Sequence, residues 1–217
     1  MRINLFVAKA TGLGRRKVDK LILNKQVFVN NELAYIGQQI SYKDVVEYEN
    51  KIIKLPDSFT TILLNKPTGY VCSRDGQGSK TIYDLLPKEY QRLKSIGRLD
   101  KDSSGIIVLT DNGKLAQEMS HPSFNKQKIY EVQLERNLTD QEIDKLQNGH
   151  IRLDQKPSVL RLKHINKNLY KVTITEGRNR QIRRTFEKLN VKVLKLNRTQ
   201  FGQYKLSDLD NNLYIIV

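Results

Sequence analysis

The stretch GRLDKDSSGIIVLTDNG, residues 97–113, sets an acidic loop directly before a strongly apolar segment. Aliphatic and β-branched side chains over Ile106–Thr110 predict a buried strand, and Asp111-Asn112-Gly113 predicts the turn after it. Asp100 stands between Leu99 and that strand, so we expect its carboxylate to be partly buried. A buried carboxylate is costly without a cation or hydrogen-bond donors, so its partner must come from elsewhere in the chain.

Outward from this stretch, many short strands alternate with few helices. Thr139 and Glu142 form a capping-box pattern that predicts the start of one helix, and apolar spacing over 179–189 predicts another. Further strands are predicted at 60–64, 130–134, 150–153, 159–164, 169–175, 191–196 and 213–217. This pattern is typical of the α+β class, so residues 60–217 are expected to form a mainly antiparallel mixed sheet with flanking helices.

Residues 1–55 form a separate pattern, that of a small N-terminal α/β domain. A helix is predicted at Lys17–Leu23 and a strand at Val27–Val29, followed by a tight hairpin turn at Asn30-Asn31. The second arm of the hairpin is predicted near Gln39-Ile40, and a further strand at 45–48. The stretch from Lys54 to Ser58 breaks the periodicity and predicts a linker. The sequence therefore divides into domains at 1–55 and 60–217.

Composition favours a polyanionic partner. The 217 residues carry 38 Lys and Arg against 23 Asp and Glu, a net charge of +15, which is typical of proteins that bind nucleic acid. No apolar run approaches the roughly 18 residues of a membrane span, and the first residues lack a signal-peptide pattern. The single cysteine, Cys72, excludes a disulfide framework, and the three histidines show no metal-ligand spacing. We expect a cytoplasmic, monomeric nucleic-acid-binding protein without a metal or a membrane partner.

Basic residues concentrate in two places. Arg15, Arg16 and Lys17 open the first predicted helix, where their charges oppose the helix dipole, so contact with phosphate groups is the simplest reason for them. A merely solvated basic face is the alternative. The second concentration is residues 176–198, with five arginines and three lysines against two glutamates.

This arginine-rich segment supplies a partner for Asp100. Arg183 and Arg184 flank the apolar stripe of the predicted helix, so one of them can turn toward the sheet, while Arg178 and Arg180 project toward a ligand. A carboxylate held by a guanidinium stays ionised and can act as a nucleophile at an electrophilic carbon without a metal. A plain buried salt bridge is the alternative interpretation.

A calcium loop is a weaker interpretation of the same stretch. Asp100, Asp102, Ser104 and Gly105 match the spacing of such a loop, with Asp111 at its twelfth position. A calcium loop needs flanking helices, whereas Ile106–Thr110 reads as a strand. We therefore favour the chemical role for Asp100.

Four segments together resemble the RsuA/RluB-type pseudouridine synthases, which isomerise a uridine in ribosomal RNA. They are GRLDKDSSGIIVLTDNG (97–113), EGRNRQIRRTFE (176–187), LNKPTGYVCS (64–73) and KIYEV (128–132). Residues 2–31 resemble the S-four-type RNA-binding domain that often precedes this catalytic domain. Lys25 and Asn31 stand where that domain commonly has glycine. Asn31 tolerates a left-handed turn, but Lys25 would strain one, so the helix before it is expected to end differently.

The resemblance implies roles residue by residue. Asp100 corresponds to the catalytic carboxylate, Tyr130 to the tyrosine that stacks on the uracil and is implicated in proton transfer, and Arg183 to the arginine that pairs with the catalytic Asp. It also leads us to expect RNA-binding roles for Arg15, Arg16, Lys17, Lys66, Arg98, Arg178, Arg180, Gln181 and Arg184.

The implied reaction moves the ribose from the uracil nitrogen to ring carbon 5. Because no atoms are lost and no redox change occurs, no cofactor is expected. The carboxylate either attacks the anomeric carbon or assists base departure through a sugar-side elimination. A stacked base is out of reach, so the uridine is expected to be flipped out. A non-catalytic RNA-binding ribosome-assembly factor that kept the fold is the alternative.

Overall fold

The computed structural model describes residues 1–56 and 58–217, with only the backbone of Pro122. The chain forms two compact units, Met1–Phe59 and Thr60–Val217, called here the N-terminal and C-terminal units. Asp57, inside the predicted linker, lies outside the described residues. No helix in the described part of the chain has the length and apolar character that crossing a membrane requires.

The N-terminal unit packs two helices on a four-stranded sheet with the order β2-β1-β3-β4. Its elements are α1 (Ile3–Thr11), α2 (Arg15–Leu23), β1 (Val27–Val29), β2 (Glu32–Leu33), β3 (Val46–Tyr48) and β4 (Lys51–Ile52). Val18 and Ile22 of α2 are buried in its core with Ile3 and Val7 of α1. The basic residues of α2 are therefore left on the solvent side.

Two turns of this unit test the expectations above. Asn30 and Asn31 both have positive φ, 51° and 67°, which confirms the tight hairpin turn. The second arm of that hairpin is β2, so its predicted position at Gln39-Ile40 was wrong; a two-residue turn lets the chain pair back at once. Lys25 adopts φ 58°, so the expectation that the helix before it ends differently was wrong: the left-handed residue after the helix is kept without glycine.

The C-terminal unit is built on one nine-stranded sheet. Seven strands run in the order β11-β12-β8-β13-β7-β5-β15, while β6 pairs with β7 and β14 with β13. All pairs in this sheet are antiparallel except β13 with β7. The strands are β5 (Thr61–Lys66), β6 (Lys94–Ile96), β7 (Ser104–Thr110), β8 (Lys128–Leu134), β11 (Arg161–Asn166), β12 (Leu169–Ile174), β13 (Val193–Phe201), β14 (Tyr204–Lys205) and β15 (Tyr214–Ile216), and β9 (Arg152–Leu153) and β10 (Lys156–Pro157) form a separate hairpin. The α+β prediction is confirmed.

Alternation along β5 and β7 builds cores on both faces of this sheet. Leu64 and Ile107 belong to the larger core, and Leu63 and Ile106 to the smaller one. Three helices flank the sheet, α3 (Gly113–Ser120), α4 (Asp140–Gln147) and α5 (Gln181–Glu187), and single 3-10 turns occur at Ile82–Leu85, Lys88–Tyr90, Pro122–Phe124 and Leu206–Leu209. α5 buries its apolar side chains in the larger core, which sets its arginines beside the loop that follows β6.

Candidate active site

A cleft of about 560 Å³ opens where the loop after β6 meets β8, β13 and the loop before α5. Asp100 and Tyr130 both line it. The Asp100 side chain is 33% exposed, and its nearest cation is Arg180, whose Nη1 lies 3.7 Å from Oδ2. Tyr130 is buried at the cleft wall. The cleft therefore holds an accessible carboxylate and a flat aromatic wall.

Arg183 does not pair with Asp100, so that expectation was wrong for this structure. Its Nη1 donates to the Val193 carbonyl at 3.0 Å and its Nη2 to the Asp102 carbonyl at 2.8 Å, while Nε lies 3.2 Å from the Asp102 carboxylate. No ion pair joins it to Asp100 in the described part of the chain. These contacts fix the Arg183 guanidinium against Asp102. The arginine that lies beside Asp100 is Arg180 instead.

Asp102 is a site residue that the sequence analysis considered only as a possible calcium ligand. Both of its carboxylate oxygens accept hydrogen bonds from Arg180, at 3.1 and 3.0 Å. Burial opposes its ionisation, but the Arg180 hydrogen bonds and the charges of Arg183 and Arg180 outweigh burial and lower the pKa of Asp102. Asp102 thus ties the arginines of residues 180–183 to the Asp100 loop.

Lys66 fixes the Asp100 loop from inside the protein. Its side chain is fully buried, so its predicted contact with RNA was wrong. Its Nζ donates to the carbonyls of Pro67, Asp100 and Ser103 at 3.0, 3.0 and 2.6 Å. Burial lowers the pKa of Lys66, against the opposing charges of Asp100 and Asp102. Three charge-assisted bonds to the backbone therefore fix the position of the carboxylate.

Cys72 supports the neighbouring part of the loop. Its thiol is buried, and burial raises its pKa. The sulfur accepts from the Leu99 backbone N–H at 3.3 Å, and Sγ lies 3.4 Å from the Leu99 carbonyl oxygen. The thiol is thus a structural contact behind residues 98–100.

Arg178 and Gln181 line the cleft while bonding within the protein, and their contacts with RNA stay a prediction. Arg178 donates to the Leu153 and Pro157 carbonyls at 2.8 and 2.7 Å and to Glu176 at 2.8 Å, which uses its guanidinium to hold the β9–β10 hairpin. Gln181 is buried and donates to Ser158 and to Glu176. Both side chains shape the loop before α5.

Other predicted RNA-binding residues lie at the surface. Arg98 lines the cleft, is exposed and forms no ion pair among the described residues. Arg184 lies away from the cleft lining and pairs with Asp154 at 2.6 Å. In the N-terminal unit, Arg15, Arg16 and Lys17 are exposed along α2.

Arg198 was missed. It lines the cleft from β13 and is only 2% exposed, with a buried Nη2 that has no hydrogen-bond partner in the described residues. The sequence signal was weak, because Arg198 sits in the polar run Asn197–Gln200, where an arginine is ordinarily solvated. Its burial follows from pairing between strands distant in sequence.

Comparison with known proteins decides the family. Residues 60–188, more than half of the chain, match the RNA pseudouridylate synthase family. The chain belongs to that family. It is thus an RNA pseudouridine synthase, and the family resemblance described above is confirmed.

Individual relatives match over most of the chain. An uncharacterized RNA pseudouridine synthase of Borreliella burgdorferi is 31% identical over 100% of this chain and 89% of its own length. The ribosomal large subunit pseudouridine synthase B of Buchnera aphidicola is 35% identical over 88% of this chain and 83% of its own. A crystal structure of a pseudouridylate synthase superposes with a TM-score of 0.71 at 30% identity, covering 100% of this chain and 96% of that one.

Proposed function

We propose that this synthase converts a specific uridine of ribosomal RNA to pseudouridine, with Asp100 acting at the ribose of a flipped-out nucleotide. The observation that carries the proposal is the Asp100 carboxylate, one-third exposed in a cleft that Tyr130 also lines. The loop that bears it is fixed by Lys66 from beneath. A fixed but accessible carboxylate is what reaction at a sugar carbon requires.

Each step assigns a role to a residue of the cleft. Asp100 either forms a bond to C1′ or removes the 2′ proton, and on both routes the C1′–N1 bond breaks and the uracil leaves as an anion. Tyr130 supplies a flat wall on which the detached base stays stacked while it rotates. C5 then bonds to C1′, its hydrogen leaves as a proton and N1 takes up a proton, so the sum is an isomerisation that needs no cofactor.

Charge supports RNA as the partner. Flipping a uridine out of its stack costs a few kcal/mol, and phosphate contacts from exposed cations offset that cost. We assign such contacts to Arg98 and Arg180, which are exposed at the cleft, and to Arg15, Arg16 and Lys17, which are exposed in the N-terminal unit. The name of the Buchnera relative makes large-subunit rRNA the first substrate to test.

The test uses rRNA transcripts labelled with tritium at uracil C5, because pseudouridine formation releases that hydrogen to water. Asp100→Asn should abolish tritium release while the dissociation constant for rRNA stays within about threefold of the unchanged protein. Asp140→Asn, at an exposed residue of α4, removes the same charge away from the cleft and should keep full activity.

Two outcomes contradict the proposal. An Asp100→Asn protein that still releases tritium removes Asp100 from the reaction. An unchanged protein that binds rRNA but releases no tritium from any transcript, or from rRNA purified from a strain lacking the gene, is the non-catalytic assembly factor instead.

A further inference from the structure

We propose that Arg198 is a second catalytic residue of the cleft, one that binds the carbonyl edge of the target uracil and stabilises the negative charge this base acquires as its bond to ribose breaks. The proposal rests on the proposed uridine isomerisation and adds the group that receives the leaving base. The observation behind this proposal is that the Arg198 guanidinium is buried in the cleft lining and has no acidic partner among the described residues.

Within the protein, Arg198 uses only the Nε edge and one face of its guanidinium. Nε donates to the Ile106 carbonyl at 2.8 Å, and the guanidinium carbon lies 4.7 Å from the centre of the Phe201 ring. Neither Nη nitrogen donates a hydrogen bond to any described residue, although Nη2 is wholly buried. Buried donors in folded proteins are nearly always paired, so these nitrogens lack the partner that a ligand would supply.

The positive charge around Arg198 favours the binding of an anion. No carboxylate of the described residues lies within ion-pair distance of it. Lys128 adds a second, half-buried cation at the same end of the cleft, with Nζ 5.5 Å from the Phe201 ring centre. Burial and then the Arg198 charge lower its pKa, against the opposing charge of Glu176. Arg198 itself is a buried cation without a counter-charge, which is costly, so its end of the cleft is suited to a group that becomes negative.

Strand register sets Arg198 beside the aromatic wall. Arg198 of β13 pairs directly with Tyr130 of β8, and opposite residues of an antiparallel pair project from the same face about 5 Å apart. On its other side Arg198 pairs with Gly105, where an added Cβ would lie 2.2 Å from the Arg198 carbonyl oxygen. Glycine thus lets β7, which follows the Asp100 loop, approach closely. A base stacked on Tyr130 would present its edge to the guanidinium.

Depth distinguishes a base from a phosphate as the ligand. RNA phosphates follow the outer surface, where Arg98 and Arg180 offer exposed guanidinium groups at the cleft. Arg198 lies beneath them at 2% exposure, a depth that a flipped base reaches and a backbone phosphate does not. A single carbonyl oxygen has two lone pairs and can accept hydrogen bonds from both Nη groups of an arginine.

The step balances without a further reactant. The electron pair of the C1′–N1 bond leaves with the uracil, whose charge spreads over N1, O2 and O4. Asp100 either bonds to C1′ and is released when C5 bonds to C1′, or takes the 2′ proton and then returns it. The C5 proton departs to water, and N1 takes up a proton in its place. Arg198 donates hydrogen bonds to one carbonyl oxygen of the uracil throughout and changes no covalent bond.

The experiment measures kcat and KM for tritium release with Arg198→Gln and Arg198→Lys. Removing one such donor to a developing anion costs roughly 10²–10³-fold in kcat, and we expect that loss for Arg198→Gln, a smaller loss for Arg198→Lys, and KM within about threefold of the unchanged protein in both. Arg74→Gln is the matched control, because Arg74 also stacks on a ring, Tyr83 at 4.4 Å, but lies outside the cleft lining. It should keep kcat.

Each other outcome overturns the inference. A kcat unchanged in Arg198→Gln removes Arg198 from the chemistry, whereas an unchanged protein without activity would refute the proposed function itself. If Arg198→Gln binds uridine 5′-monophosphate more weakly than the unchanged protein does but binds uridine equally well, the guanidinium contacts a phosphate and not the base. Loss of the folded circular dichroism signal in both Arg198 variants would assign it to the fold alone.

Discussion

At the scale of single residues, the buried ammonium of Lys66 determines where Asp100 lies. Its three acceptors belong to Pro67, Asp100 and Ser103, so it joins the end of β5 to a loop more than thirty residues away. Lys66→Met should leave these carbonyls without donors and lower the free energy of unfolding by about 3 kcal/mol. Denaturation by urea, followed by circular dichroism, measures this change.

The same variant should also lose activity, because the loop that positions Asp100 is no longer fixed. Lys88→Met is its control, since Lys88 is exposed in a 3-10 turn and should change neither stability nor tritium release. A stability loss of less than about 1 kcal/mol in Lys66→Met would show that water or a rearranged loop satisfies the carbonyls.

Single residues also show what the sequence could and could not predict. Motif resemblance brought Asp100 and Tyr130 to attention, and the structure places both in one cleft. The partner of Arg183 could not be predicted, because a spacing of two residues between Asp100 and Asp102 leaves either within reach. Arg198 escaped notice because its burial depends on strand neighbours from distant segments.

At the scale of elements, α4 shows a start signal that the sequence predicted correctly. Thr139 and Glu142 form the capping box, and both oxygens of Glu142 also accept from Arg136, at 2.7 and 2.9 Å. The Arg136 hydrogen bonds, against burial and with a further bond from the Thr139 backbone N–H, lower the pKa of Glu142 from 4.5 to about 2. The folded chain therefore binds this proton less readily than the unfolded chain.

A lowered pKa fixes the sign of the pH dependence. The contribution of Glu142 to stability is fully present above pH 4.5 and is lost as the pH falls toward 2. Glu142→Gln should cost roughly 1–2 kcal/mol at pH 7, less than the full shift implies because Arg136 is partly solvated. That difference from the unchanged protein should shrink toward zero near pH 2 in urea titrations. A difference independent of pH would contradict the ion-pair origin.

Other elements were predicted less well. Most strands were predicted within a few residues because apolar side chains alternate along them, but α1 and the short strands β4, β6, β10 and β14 were missed. Strand order could not be predicted from the sequence, since β13 and β7 pair in parallel although more than ninety residues separate the paired positions. That contact needs Gly105 at φ 107°, and a glycine in a polar loop predicts a simple turn as readily as a close approach of two strands.

At the scale of the whole molecule, a net charge of +15 sets how the protein meets RNA. Each phosphate neutralised by a lysine or arginine releases condensed counterions. The logarithm of the binding constant therefore falls with the logarithm of the salt concentration, with a slope of about −0.7 per contact with a single strand. We expect the rRNA dissociation constant to rise steeply between low and physiological salt. Fluorescence anisotropy with a labelled rRNA fragment measures it, and a flat salt dependence would exclude phosphate contacts as the main source of affinity.

The basic start of α2 allows this charge effect to be located. Replacing Arg15, Arg16 and Lys17 by glutamine should lower the salt slope by about 2, since up to three phosphate contacts disappear. Replacing Lys43, Lys51 and Lys54, also exposed in the N-terminal unit, removes the same charge away from that helix and should alter the slope by less than half as much. Equal effects from both triple variants would mean that overall charge, rather than the face of α2, attracts the RNA. A larger effect from α2 would identify that helix as the phosphate-binding surface of the N-terminal unit.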